Sequence, residues 1–302
     1  MSTSPRDPEE LETAGTQMSA ELSPETTVGA VHLTVSELDR SIAYYRDTIG
    51  LETLEQERRR ARLGVGAREL LVLVEEAGAR PAYRSTGLYH FALLVPQRSD
   101  LARWLAHAVR DRVSLVGLSD HFVSEAIYLS DPDGHGIELY WDRPREVWEG
   151  QVGARLTTQP LDVDNLLGQL ADPGSEPFVG LPAGTVMGHV HLKVSEIDET
   201  VTFYRDVLGF GLMAQLGAQA AFLSAGGYHH HLGANTWESA GAPPPPPGSA
   251  ALRHATIVLP DAAERDRLLV RLESVGHAHR ESGDAPLVLD PAGNALVLSV
   301  RS

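Results

Sequence analysis

From Val31 the chain alternates apolar and polar positions, with Val31, Leu33 and Val35 on one face, a period of two that predicts a strand. The period then lengthens: Leu38, Ile42, Tyr45 and Ile49 share one side of a helix, with Asp39 in its positive first turn and Gly50 at its exit. The same alternation returns at Val190, and the same helical face returns as Ile197, Val201, Tyr204 and Leu208, with Asp198 and Gly209 in the matching places. Inside each copy the pattern starts again. Leu88-Tyr89-His90-Phe91 opens a strand that stops at Pro96, and Leu101, Trp104, Leu105 and Ala108 mark the helix after it. Arg253-His254-Ala255 opens the corresponding strand, and Pro260 follows His254 at the distance at which Pro96 follows His90.

These matches define an internal repeat. VHLTVSELDRSIAYYRDTIGL from Val31 and VHLKVSEIDETVTFYRDVLGF from Val190 lie 159 residues apart, as do Asp131-Pro132-Asp133-Gly134 and Asp290-Pro291-Ala292-Gly293. Strand, helix and further strands, twice per copy, predict an α+β fold of four βαβββ modules. The expected organisation is a flexible tail over 1–26, rich in Ser, Thr, Pro and Glu, a first domain over 27–142, a linker over 143–184 and a second domain over 185–302. Pro243 to Pro247 removes five backbone donors in succession and predicts an extended polyproline II connector.

Composition narrows the chemistry. With 41 acidic and 25 basic side chains, the net charge of −16 disfavours a nucleic-acid groove or a polybasic membrane anchor and leaves small neutral or weakly acidic ligands open. Zero cysteines exclude disulfides, thiolate zinc sites, iron–sulfur clusters and a Cys nucleophile, so any metal is bound by His, Asp or Glu. No apolar run reaches the roughly 18–20 residues of a membrane span, and the acidic start lacks the apolar core of a signal peptide; a cytoplasmic location is expected.

The repeated modules, HFVSEAIYLSDPDGHGIELYWDRPR and GGYHHHLGANTW resemble the vicinal oxygen chelate superfamily, which includes glyoxalase I, fosfomycin-resistance proteins and type I extradiol catechol dioxygenases. The resemblance is strongest to two-domain bacterial catechol 2,3-dioxygenases and covers about residues 27–142 and 185–300. It implies cup-shaped mixed sheets, each made by two modules, with a divalent metal held by inward side chains of first and last strands. In the dioxygenase branch that metal is Fe(II), bound by two His and one Glu.

Under the resemblance the ligand positions fall on His90 and Glu138 in the second module and on His189 in the third, where His189-Val190-His191-Leu192-Lys193-Val194 fits the family pattern. On composition alone Glu138 reads sooner as a solvent-facing carboxylate than as a ligand, and His90 reads equally as a buried histidine satisfied by a carbonyl. The first module carries Ala30 at the ligand position, with His32 two residues on, and the fourth carries His254 with Val297 in place of the carboxylate. Pairing modules one with two leaves a single cup two ligands. Pairing two with three completes His90, Glu138 and His189.

His229 matches the acid/base histidine of the dioxygenases and His231 the fourth metal ligand of glyoxalase I, both taken to point together from one strand with His230 turned away. The plain alternative for this run is a polar edge strand without a task. Tyr128, ten residues before Glu138, matches the substrate-binding tyrosine of the dioxygenases, or is an aromatic on a half-buried strand. The function so implied is Fe(II)-dependent extradiol cleavage of a small aromatic diol by O₂, with Mn(II), Ni(II) or Zn(II) as other metals. A glyoxalase-like isomerase or thiol transferase and a non-enzymatic small-molecule-binding resistance protein are the alternatives, and a homo-oligomer is left open.

Overall fold

Four strands and one helix recur four times along the chain. The computed structural model describes residues 22–172, 177–283 and 285–301. The first module runs β1 (Thr27–Val35), α1 (Leu38–Tyr44), β2 (Glu52–Glu57), β3 (Arg60–Val65) and β4 (Arg68–Glu75). The second is β5 (Gly87–Leu94), α2 (Arg98–Arg110), β6 (Gly117–Asp120), β7 (Ser124–Ser130) and β8 (Gly136–Asp142). The third is β9 (Val186–Lys193), α3 (Ile197–Val201), β10 (Gly211–Leu216), β11 (Ala220–Ser224) and β12 (Leu232–Asn235). The fourth is β13 (Leu252–Leu259), α4 (Ala262–Ser274), β14 (His279–Ser282), β15 (Ala285–Leu289) and β16 (Ala295–Val300).

The helical faces read from the sequence are the buried ones. Leu38, Ile42, Tyr45 and Ile49 are buried, as are Ile197, Val201, Tyr204 and Leu208, each large apolar side chain contributing about 1.5–3 kcal/mol by leaving water. Both helices close in a π-helical turn, Tyr45–Ile49 and Thr202–Val207. Gly50 and Gly209 then leave at φ 94° and 90°, which a side chain would resist. In the two repeats the buried tyrosine donates to the aspartate of the Asp-Pro turn: Tyr45 to Asp131 at 2.9 Å and Tyr204 to Asp290 at 3.0 Å. These bonds tie the two modules of one repeat together through helix and turn.

The sheets join the repeats the other way. One sheet has the order β14-β15-β16-β13-β1-β4-β3-β2, modules four and one; the other has β6-β7-β8-β5-β9-β12-β11-β10, modules two and three, with a short strand at Gln159–Pro160 on the outer edge of β6. The seam of each is an antiparallel pair of first strands, β1 with β13 and β5 with β9. Module two therefore shares a sheet with module three.

Two segments differ from the simplest reading of the sequence. Residues 1–21 of the expected tail lie outside the described residues, but 22–26 are docked: Leu22 is buried, its N–H donates to Gly209 O, and Ser23 N–H donates to Glu264. One apolar side chain with two backbone donors satisfied is enough to hold a short polar stretch. The segment after β8 forms helical turns at Arg145–Trp148, Val152–Arg155 and Val163–Leu167, buries Trp148 and Leu166, and carries Leu156 to Thr158 to the face of the second sheet. Among the described residues no helix is long and apolar enough to cross a membrane.

Candidate metal centre and its cavity

Strand register assembles the centre. Ala92 on β5 pairs with His189 on one side, across the antiparallel seam, and with Glu138 of β8 on the other. Directly paired residues point to the same face, and so does His90, two residues before Ala92. His90, Glu138 and His189 therefore surround the small side chain of Ala92, which leaves their tips free to converge. His90 Nε2 lies 2.9 Å from Glu138 Oε2, His189 Nε2 lies 3.0 Å from the same oxygen, and the two nitrogens are 3.3 Å apart. The ligand atoms of these three buried residues form the one such group among the described residues.

Those spacings suit a divalent ion. Two neighbouring ligands of an octahedral ion held at about 2.1 Å stand roughly 3 Å apart, which is the edge length found on all three sides here. Two imidazoles and one carboxylate on one face of such an ion leave the opposite face open. Burial by itself raises the Glu138 pKa, but the adjoining His189 and His90 outweigh it and hold the carboxyl well below its ordinary range. His189 is lowered by burial, only partly offset by Glu138. A carboxylate beside the neutral His189 imidazole is the protonation state that metal binding requires.

A cavity of about 640 Å³ opens from this cluster. Tyr89, Phe222 and Trp237 give it aromatic walls, and His121, Tyr128 and His191 bring polar atoms into it. Tyr128 pairs with Glu138 across β7 and β8, and its pKa is raised well above 10 by burial and then by Glu138, so the hydroxyl keeps its proton. His121 fixes the direction of that proton. Its Nδ1 lies 2.9 Å from the Thr157 carbonyl, which can only accept, so Nδ1 carries the hydrogen and the bare Nε2 accepts from Tyr128 at 2.8 Å.

The three histidines of Tyr228-His229-His230-His231 do not sit as the strand reading placed them. β12 begins only at Leu232, because Gly226 and Gly227 turn the chain at φ 61° and 68° and Ala225 N–H donates to His231 Nδ1 at 3.1 Å, closing the turn. His231 is thereby directed at backbone and stands apart from the ligand cluster, and its pKa is lowered to about 3 by burial and its histidine neighbours. His229 is held by Asp142, Nε2 to Oδ1 at 2.8 Å, and the same carboxylate accepts from Tyr228 at 2.7 Å. It is His230 that lines the cavity, its ring centroid 4.1 Å from that of His189. His229 and His230 join Nδ1 to Nδ1 at 2.8 Å. With its Nε2–H given to Asp142, His229 accepts at Nδ1 from His230, which leaves His230 Nε2 bare.

Sequence reasoning missed His191, His121, His230 and Asp142. The strand period carried the signal for His191, two residues after His189 on the same face, where its ring lies 5.0 Å from that of His90. His230 became readable only once the turn was known, and His121 sits in a loop with no periodicity. In the other sheet the counterparts of the ligand positions are Ala30, His254 and Val297, and His32 stacks on His254 with ring centroids 3.9 Å apart.

Comparison with known proteins agrees with this architecture. Residues 27–139 and 186–298 match the sequence profile described as glyoxalase/bleomycin resistance protein/dioxygenase superfamily. The chain is 40% identical over 282 residues to the catechol-2,3-dioxygenase of Bacillus subtilis (strain 168), covering 91% of this chain and 98% of that one. Glyoxalase I from Zea mays superposes with a TM-score of 0.53 at 17% identity, over 90% of this chain and 92% of that one. The CppA protein from Streptococcus pneumoniae TIGR4 does so with a TM-score of 0.52 at 14% identity, over 91% and 100%. At such low identities the two structural likenesses concern the fold alone.

Proposed function

The chain belongs to the glyoxalase/bleomycin resistance protein/dioxygenase superfamily, and from that premise we propose that it is an Fe(II)-dependent dioxygenase that opens a catechol-type ring with O₂ beside one hydroxyl. The relative that is 40% identical carries the name of such an enzyme. The observation that carries the reading is the number of protein ligands available. On β9 and β12 the position that answers to Glu138 is Gly233, paired with His191 as Glu138 is paired with Ala92. A four-ligand centre of the glyoxalase type lacks its fourth side chain there, and His231 faces the backbone instead. Three ligands leave room for both oxygens of a diol and for O₂.

Held by His90, Glu138 and His189, the metal would supply polarisation of the diol and activation of O₂. The remaining work falls to this chain's own groups. Tyr128 directs its hydrogen at His121, so its oxygen accepts from an entering ring hydroxyl and orients the ring, and His121 Nε2 takes the proton passed on. On the other side His230 presents a bare Nε2, backed by His229 and Asp142, and takes or returns a second proton next to the reacting oxygens. The aromatic walls hold the ring and exclude water. Oxygen-electrode measurement on catechol with the Fe(II)-loaded chain tests the proposal: O₂ consumption matched by a coloured ring-opened product supports it, and no consumption under anaerobically reconstituted iron refutes it.

A further inference from the structure

We propose that the physiological substrate carries a carboxylate on a short arm of its ring, and that Lys193 binds it; this rests on the ring-cleavage reading above. Lys193 is the only lysine of the chain, every other basic side chain apart from histidine being arginine. It is also the one Lys or Arg side chain among the residues that line the cavity. Strand geometry points it there: His189, His191 and Lys193 follow one another on the inward face of β9. In the other repeat the matching residue is Thr34, in a sheet that has lost its ligand set. The cation is thus present in the sheet that keeps the metal-type cluster.

Lys193 is half-buried, and no carboxylate lies within 4 Å of its ammonium among the described residues. A half-buried lysine without a counter-ion is a cost to the fold that an anionic ligand would relieve. Besides Glu138 of the cluster, the carboxylate on the cavity wall is Glu238, which is exposed, so that water and salt screen it. Between cluster and ammonium stands His191, a buried residue of the cavity wall whose Nε2 has no hydrogen-bond partner. Four residues of strand separate His189 from Lys193, roughly 13 Å along the backbone. A dihydroxyphenyl ring with a two- or three-carbon arm spans such a gap: diol at the cluster, arm past His191, carboxylate at Lys193. A strongly negative protein attracts a carboxylate poorly from solution, so selection for one requires a local cation of this kind.

The test uses 3-(3,4-dihydroxyphenyl)propionate and its methyl ester, which removes the charge at the end of the arm, with the whole metal-loaded chain and O₂ excluded. Calorimetry should find the acid bound about 10–100-fold more tightly than the ester, the worth of a hydrogen bond to a charged group. Lys193→Met should bring the ratio close to one, and Lys193→Arg should keep most of it. Equal binding of acid and ester by the unaltered chain, or an undiminished ratio in folded Lys193→Met, overturns the assignment. Admitting O₂ then judges the other reading separately: if neither compound is consumed while the acid–ester ratio still depends on Lys193, ring cleavage fails and the carboxylate site stands.

Discussion

Gly233 lies under the imidazole of His191 so closely that a Cβ built on the glycine would stand 2.8 Å from both Cγ and Nδ1 of that ring. β8 and β12 are the last strands of their modules and flank the seam in equivalent places, yet β8 offers a carboxylate at this level and β12 offers only space, which its neighbour's ring has filled. Gly233 and His191 are one packing unit, and neither can change alone.

Gly233→Ala should accordingly destabilise the chain by about 1–3 kcal/mol through overpacking, and adding His191→Ala should recover part of that loss. Urea unfolding of both single variants and the double variant measures the coupling. Strictly additive effects would mean that the ring moves aside freely and that the space under it has no bearing on His191.

One divalent metal per chain is expected despite two similar sheets, since the second presents Ala30, His254 and Val297 at the ligand positions. His90→Ala, Glu138→Ala and His189→Ala should each abolish tight binding, and His32→Ala should be nearly silent. Calorimetric titration of apo protein with Fe(II) or Mn(II) reads both claims. Two equivalent ions per chain, or metal loss in His32→Ala, would contradict them.

His229→Ala and His230→Ala should both keep the metal and lose roughly 10²–10⁴ in ring-cleavage rate, the usual span for a positioned acid or base. Because His229 acts through His230, the double variant should be little slower than the worse single one. Independent, multiplying losses in single-turnover kinetics would separate the two residues, and loss of metal from His230→Ala would make it a ligand.

Acid should weaken the fold through the other sheet. Burial, followed by His254, Arg60 and Arg253, lowers the His32 pKa from 6.5 to about 3, and burial with the same two arginines lowers His254 to about 4. Arg253 is in turn paired to Glu76 at 3.0 Å and donates to Thr34. Below pH 6.5 the unfolded chain binds protons that the stacked pair refuses, so stability falls as pH drops from about 6.5 towards 4 and the contribution is fully retained above 6.5. The His32→Leu/His254→Leu variant should show a shallower fall of Tm across that window than the unaltered chain; parallel curves would remove the pair from the acid response.

Periodicity and repetition made most of this fold legible. The apolar face from Leu38 to Ile49 and its copy from Ile197 to Leu208 follow from spacing alone, because core burial selects the same side of a helix wherever the unit recurs. Counting ligands module by module also pointed to the β5–β9 seam, since a complete set existed only across it. What escaped was set by local backbone geometry and by loops. The turn at Gly226-Gly227 displaced the start of β12, so that His230, expected to turn away, lines the cavity, while His231 faces the backbone and His229 lies against His230. His121 reaches Tyr128 from the loop after β6, through a carbonyl of Thr157 supplied by the segment between the repeats.

The crossed arrangement of the sheets has a consequence for how the chain can be divided. Each repeat by itself ends both of its sheets at a bare first strand, β1 and β5 in one, β9 and β13 in the other, with a row of unpaired N–H and C=O groups on each. A chain severed between 172 and 177 therefore yields two fragments that must find one another to satisfy those edges, and only their reunion brings His189 to His90 and Glu138. Fragment complementation would be read directly by metal uptake. The same logic reaches back to a single-copy form, which could have built this face only by embracing its twin, making two identical centres where the fused chain has kept one and let the other lapse into a stacked pair of histidines.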